Sequence, residues 1–197
     1  LRRRSLVQDA HLAGRGQVFD PNPVNTLNDM GLRDLDDSDG PAFTPAYRTV
    51  ALPGVSRWFF DFLGAMILSG PYVKINDFIE APFYNQPFSM TGDFFYTRDR
   101  PEFEDVMVYF HIDRTQRYIQ SLGFVGDRGI QQGPIVADSD GVNGEDNSYF
   151  IPTSNRIAYG HGCVSDNEDS GVILHEYGHA LQFSVMGMFD GGDMSAM

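Results

Sequence analysis

The sequence predicts an α+β protein that is β-rich over residues 1–100 and contains two helices in residues 101–197. Three observations lead to this prediction. Prolines divide the first half into short segments, apolar residues recur at helical spacing after Pro101, and a long apolar run surrounds two histidines near the end. A chain of 197 residues can form one domain with a real core, or two small lobes that share a cleft.

The first hundred residues have the composition of turns and short strands. Residues 47–52 and 72–78 are expected to form strands, because β-branched and aromatic side chains stand there between turn residues. The prolines that punctuate this part are Pro21, Pro23, Pro41, Pro45, Pro53, Pro71, Pro82 and Pro87.

An amphipathic helix is predicted from Pro101 to Gly123. Proline suits the first helical position, and Glu102 and Glu104 fall in the first turn, where carboxylates complement the helix dipole. Its apolar residues at helical spacing are Phe103, Val106, Met107, Phe110, Tyr118, Ile119 and Leu122. Residues 126–147 are rich in Gly and Asp and are expected to form a loop region, and residues 149–159 are expected to hold short strands.

A second helix is predicted to begin near Asp169 or Ser170 and to end at Gly187. Because it is apolar nearly all round, we expect it to be buried in the centre of the molecule. Acidic residues precede it at Asp166, Glu168 and Asp169, and one of them is expected to cap it.

This second helix contains the sequence HEYGH at residues 175–179. Residues four apart lie on one face of a helix, so His175 and His179 can bind one Zn²⁺ with Glu176 beside them. The alternative is an exposed helix with salt-bridging side chains, but the apolar flanks disfavour it. Burying these groups unpaired would cost several kcal/mol, and metal coordination removes that penalty.

A zinc ion held in this way predicts peptide hydrolysis. The metal acidifies its water and polarises the scissile carbonyl, while Glu176 takes the proton of the water and passes it to the leaving amine. A catalytic zinc normally has three protein ligands, and only two are evident. Asp190 and Asp193 are the only carboxylates after His179, and Asp193 is the less favoured alternative to a ligand located beyond Met197.

The composition excludes some partners and suggests others. A formal net charge of −13 argues against nucleic-acid binding, which needs a basic surface. The longest apolar stretch, residues 58–68, is too short to span a membrane. The abundance of Asp suits a loop-rich secreted or extracellular protein. The acidic runs at 34–40 and 138–141 suit Ca²⁺ as a further cofactor, or form solvated turns.

Three blocks of the sequence, in the same order, resemble fungalysin-type zinc metallopeptidases, which are relatives of thermolysin. They are YFHID through LGF at 109–124, DSDG followed by DNSYF at 138–150, and DSGVILHEY at 169–177. Together they cover roughly residues 105–186. The resemblance implies a zincin-like fold in which residues 101–197 belong to the same catalytic domain as the β-rich N-terminal lobe.

The resemblance also implies roles for individual residues. Asn147 would bind the backbone of a polypeptide substrate, and Ser148 stands where the family usually has Ala. The third zinc ligand of the family, a glutamate on a later helix, lies past the second histidine. A helical C-terminal lobe is therefore expected to complete the site, in cis or in trans, and the sequence is expected to be the N-terminal portion of a longer polypeptide.

A second class of function remains open at this point. A zincin-fold module kept for binding or assembly, with a structural metal or none, would also be acidic and lack the third ligand. An incomplete fragment that needs a second segment for activity is a further alternative.

Overall fold

The computed structural model describes residues 12–34, 36–58, 64–79, 86–131, 133–142 and 145–186. Within these ranges the chain is an α+β protein with three α-helices and two β-sheets, as the sequence predicts. Asp190 and Asp193, the less favoured alternatives for a third zinc ligand, lie outside the described residues. No helix in the described ranges combines the length and apolar character that crossing a bilayer requires.

The first sheet has five strands in the order β5-β3-β2-β1-β6. The long antiparallel pair of β1 and β2 forms its centre, and β6 runs parallel to β1. The short helix α1, Pro23–Leu27, follows β1. The strands are β1 Leu12–Val18, β2 Arg48–Arg57, β3 Met66–Ile67, β5 Phe88–Ser89 and β6 Asp93–Phe94.

The second sheet has four strands in the order β4-β7-β9-β8. Strands β4, β7 and β9 are parallel, and β8 pairs antiparallel with β9 at one edge. Its buried face is apolar and joins the core through Val73, Ile75, Ile135, Ala137 and Ile157. The strands are β4 Val73–Ile75, β7 Ile135–Asp138, β8 Tyr149–Ile151 and β9 Arg156–Ala158.

Strand β7 corrects the prediction of an unbroken loop region over residues 126–147. Four residues between two parallel neighbours form the centre of the second sheet, where Ile135, Ala137 and Asp138 are buried. A strand this short carries little periodic signal in its own sequence, and its partners are distant along the chain. The predicted strands around residues 47–52, 72–78 and 149–159 are confirmed as β2, β4, β8 and β9, with shifted ends.

Helix α2, Pro101–Ser121, is the most deeply buried helix of the described residues. It packs against both sheets and against the last helix. Phe103, Val106, Met107, Tyr109 and Ile112 are fully buried. Its predicted start at Pro101 is confirmed, and its amphipathic character is limited to the C-terminal turns, where Tyr118 is exposed.

Helix α3, Ser170–Met186, is buried along one face only. Ile173, Tyr177 and Ala180 enter the core, whereas Val185 and Met186 are exposed. The expectation that this helix is buried on all sides is therefore wrong within the described residues. The composition of a helix sets how apolar it is, but the elements packed around it decide which of its faces are covered. In this protein both sheets pack against α2, whereas α3 is covered along one face only.

Candidate metal centre

The two histidines of the HEYGH sequence lie on one side of α3, one helical turn apart, and their rings meet edge to face with centroids 4.8 Å apart. Glu176 lies beside them and is largely buried, whereas half of the His175 side chain is exposed. The ligating atoms of the three residues all fall within 4.8 Å of one another.

The distance between the histidines fits zinc. His175 Nε2 and His179 Nε2 are 3.2 Å apart, and two nitrogen ligands of a tetrahedral zinc are about 3.3 Å apart. A hydrogen bond between two neutral imidazoles has a similar length, so this distance alone does not identify a metal site. The position of the third group, the Glu176 carboxylate, is therefore also needed. Glu176 Oε1 lies 3.9 Å from His175 Nε2. Two imidazoles that share a site with a buried carboxylate have the donor chemistry of a zinc site with a neighbouring base.

The carboxyl group of Glu176 is in a mixed environment. Burial raises its pKa above the ordinary value for glutamate. The imidazoles of His179 and His175 and the backbone N–H of Phe150 act in the opposite direction and favour the charged form. Asp166 adds a smaller repulsion that again raises the pKa.

A cleft of about 490 Å³ opens over these side chains. His175, Glu176 and His179 form one wall, and residues 147–150, which include the start of β8, form the other. Asn147, to which the family resemblance assigns substrate binding, is exposed at this wall. Within the described residues β8 pairs with β9 on one side and with no strand on the other. The Phe150 N–H of this strand faces the Glu176 carboxylate, and the other backbone groups of the open edge can receive an extended chain.

Ser148, the second predicted substrate-binding residue, uses its hydroxyl within the protein. The hydroxyl donates to Asp166 at 2.6 Å and accepts from the backbone N–H of Gly160 at 3.2 Å. Its side chain therefore anchors the wall of the cleft, and only its backbone remains for a substrate.

Gly160 supports the same wall and was missed by the reasoning from sequence. A Cβ atom at this position would lie 2.3 Å from the carbonyl oxygen of Glu145 and 2.5 Å from that of Asn147. Only glycine allows this approach without moving the backbone. The run GHG at 160–162 is visible in the sequence, but nothing there shows that it packs on residues 145–147.

Helix α3 is held in place at its first turn. Asp169 caps it by accepting from the backbone N–H of Gly171 at 2.6 Å, as the sequence predicts. The other carboxylate oxygen of Asp169 accepts from the Asn22 side chain at 2.6 Å, and the Ser170 N–H donates to the Pro21 carbonyl. The turn after β1 thereby fixes where the helix begins.

A buried tyrosine holds the middle of the helix. The hydroxyl of Tyr159, at the end of β9, donates to the carbonyl of Ile173 at 3.1 Å. The sheet that supplies the cleft wall is thus bonded directly to the helix that supplies the histidines. The sequence does not indicate this hydrogen bond, because Tyr159 and Ile173 belong to different elements and are well separated along the chain.

Among the described residues, no further histidine, cysteine or carboxylate joins His175, Glu176 and His179. His161, a few residues before α3, instead contacts Asp140 at 2.5 Å.

The acidic runs considered for calcium are engaged with protein groups. Asp34 pairs with the buried Arg98 and accepts from the backbone N–H of Ser165. Asp138 accepts from the backbone N–H of Phe78. Within the described part of the chain, the group at His175 is the only one in which three or more metal-compatible side chains come together. Calcium binding therefore stays a prediction.

Comparisons with family models and with curated proteins found no match to this chain.

Proposed function

We propose that this chain is the zinc-binding part of a metalloendopeptidase with a zincin-like fold, related to fungalysin and thermolysin. The observation that carries the proposal is the convergence of His175 Nε2, His179 Nε2 and the Glu176 carboxylate on a cleft beside the free edge of β8. The order of the three sequence blocks supports the same function. A secreted location is part of the proposal and rests on the acidic, loop-rich composition.

His175 and His179 would hold the zinc ion, which supplies an acidified water and a polarised substrate carbonyl when bound. Glu176 accepts a proton from the attacking water and returns it to the leaving amine. Its burial at the base of the cleft keeps the carboxylate next to the histidines. The scissile bond lies between Glu176 and the β8 wall.

A polypeptide substrate would bind in extended form along β8. Backbone groups on the open edge of this strand would add the substrate as a further strand through main-chain hydrogen bonds. Asn147 stands at the end of this edge, exposed to the cleft, and holds the substrate backbone next to the scissile bond. Ser148 contributes through its position and not through its hydroxyl, which is bonded to Asp166.

The third zinc ligand is proposed to come from outside the described residues. Asp190 and Asp193 are available in this chain, and a later helix in cis or a second chain in trans is the arrangement that the family resemblance favours. The proposal thus includes a helical C-terminal lobe that covers the exposed side of α3.

Zinc content and proteolysis of the intact native polypeptide test this function together. About one zinc per chain and cleavage of an unfolded protein such as casein are expected, with loss of cleavage in EDTA and recovery on adding Zn²⁺. Zinc binding without cleavage by the intact polypeptide would favour the non-catalytic zincin-fold module. Absence of both would reject the metal site itself.

A further inference from the structure

We propose that the outer face of the four-stranded sheet carries an oxyanion-binding pocket, in which Lys74 and Arg156 bind a phosphate or sulfate group. This pocket is separate from the metal centre, and the proposal does not depend on peptidase activity.

The register of the sheet places the two cations on one face. Lys74 of β4 pairs with Val136 of β7, and Val136 pairs with Arg156 of β9. The strands are parallel, so these three side chains form a row across the sheet. Their neighbours along the strands, such as Ile75 and Ile157, are buried on the opposite face. Since adjacent strands are about 4.8 Å apart, the backbones of Lys74 and Arg156 are separated by about 10 Å.

Two long cationic side chains at this separation can both reach one small anion placed over Val136. They border a cavity of about 220 Å³. Its other polar residues are Ser69, Asn76 and Gln86. Among the described residues that line the cavity, none is a carboxylate. A cavity with this lining offers hydrogen-bond donors and positive charge.

The two cations of this pocket have no carboxylate partner, as is also true of Arg33, Arg48, Arg57 and Arg128 among the described residues. The formal net charge is −13, and the arginines that form ion pairs elsewhere are Arg15, Arg98, Arg100, Arg114 and Arg117. Neither Lys74 nor Arg156 has an ion-pair partner among the described residues. Two uncompensated cations in one cavity of a strongly acidic protein create a local site for an anion.

Two neighbouring groups are already oriented. The Arg156 guanidinium lies over the Phe78 ring, 4.7 Å from its centroid, which limits the conformations of this long side chain. The Gln86 amide donates to the carbonyl of Ile75 at 2.7 Å. The same NH₂ group has a second hydrogen for a ligand. An anion would therefore meet an arranged set of donors.

A tetrahedral oxyanion fits these donors. The guanidinium of Arg156 can bond two oxygens in parallel, and the ammonium of Lys74 supplies a point charge to a third. The group can be free phosphate or sulfate, or a monoester carried by a larger molecule. These sources share the same chemistry and are distinguished experimentally below.

Lys74 is the only lysine of the chain, which gives the test a direct reporter. Reductive methylation with ¹³C-formaldehyde labels its ε-amino group and retains its charge, and the N-terminal amine gives a separate signal. Titration with inorganic phosphate at constant ionic strength should shift the Lys74 signal saturably, whereas chloride should not. A shift of equal size with chloride, or none with phosphate and sulfate, would overturn the proposal.

Arg156→Gln should weaken phosphate binding about tenfold, the usual loss for a charge-assisted hydrogen bond. Arg128→Gln is the matched control, because Arg128 is exposed and lies outside this cavity. Equal weakening in both variants would show general charge screening and reject the site. Lys74→Gln, measured by calorimetry without labelling, gives an independent reading of the same loss.

Phenyl phosphate distinguishes the two sources of the ligand. Binding as tight as that of inorganic phosphate would show that the pocket accepts a monoester on a larger molecule. Binding of the inorganic ion alone would assign it to free phosphate or sulfate. Both results support an oxyanion pocket, and failure of all three anions would reject it whatever the outcome of the protease assay.

Discussion

Tyr177 on α3 donates a 2.6 Å hydrogen bond to the side-chain oxygen of Gln116 on α2, and both residues are buried. The amide nitrogen of Gln116 donates in turn to the carbonyl of Ile130 at 2.7 Å. Tyr177 stands between His175 and His179 in the sequence but points into the core. The bond therefore fixes the rotation of the helix that turns the two histidines toward the cleft.

Replacing this tyrosine should measure the contribution of the bond. Tyr177→Phe keeps the ring but leaves the Gln116 oxygen without its donor, so the free energy of unfolding should fall by about 1–3 kcal/mol. Urea denaturation provides the measurement. Tyr118→Phe, at an exposed position of α2, is the control and should be nearly neutral. Equal losses in the two variants would contradict the role of the buried bond.

Zinc affinity should depend on His179. His179→Ala removes one of the two proposed nitrogen ligands, whose Nε2 atoms are 3.2 Å apart, and zinc binding should weaken by at least about a hundredfold. Competition with a chromogenic chelator measures the affinity. His161→Ala serves as the control, since His161 contacts Asp140 and belongs neither to the His175 group nor to the residues that line the cleft. A His179→Ala protein that kept its zinc would reject this pair as the metal site.

Glu176 should be needed for turnover but not for zinc. Glu176→Gln keeps the shape of the side chain and removes the proton acceptor, so kcat should fall by about 10²–10⁴ while bound zinc stays near the wild-type level. Asp127→Asn removes a carboxylate at an exposed position outside the cleft and should leave kcat unchanged. Full activity in Glu176→Gln would remove this residue from the role of general base.

The cleft wall should be sensitive to a single methyl group. In Gly160→Ala the new Cβ would lie within 2.5 Å of the carbonyl oxygens of Glu145 and Asn147, so the wall must move. We expect KM for a peptide substrate to rise and the free energy of unfolding to fall by about 1–3 kcal/mol. Gly40→Ala, which meets no atom within 4 Å, is the control. Unchanged KM and stability in Gly160→Ala would show that the wall is not tightly placed.

Stability should decrease in acid because of His111. Burial lowers the pKa of this side chain from 6.5 to about 4. Its Nε2 bonds the carbonyl of Phe19, and its Nδ1 faces Arg114, which pairs with Asp20. Between about pH 6.5 and pH 4 the unfolded chain therefore binds a proton that the folded protein does not. The contribution is present above pH 6.5 and is lost as the pH falls through this window.

The full shift corresponds to about 3 kcal/mol in the free energy of unfolding. Urea denaturation of wild type and His111→Gln at pH 7 and pH 4.5 isolates this contribution from those of the buried carboxyl groups. The variant should lose less stability between the two pH values. An identical loss in both proteins would contradict the assignment to His111.

Structural features that are determined by residues close together in the sequence were predictable. The start of α2 at Pro101, the cap of α3 by Asp169 and the spacing of His175 and His179 each depend on neighbouring residues. Local signals of this kind do not require knowledge of the rest of the fold.

Features that depend on distant partners were not predictable. Strand β7 is ordered by β4 and β9, and α3 has an uncovered face because its surroundings, not its composition, decide its burial. The close packing of Gly160 on Asn147 and the bond from Ser148 to Asp166 also join residues over a dozen positions apart. The periodicity of apolar residues and the composition of a segment do not indicate which distant segment it will contact.

The position of β7 between β4 and β9 also has a consequence for the order of folding. Val73 pairs with Ile135, about sixty residues later, and β7 gains its second neighbour only when Arg156–Ala158 has been synthesised. The β1–β2 hairpin-like pair can close much earlier on the ribosome, whereas the second sheet must wait for a long loop closure. We expect a slow final phase of folding in which this sheet assembles and α3 docks, leaving the cleft as the last part of the molecule to form.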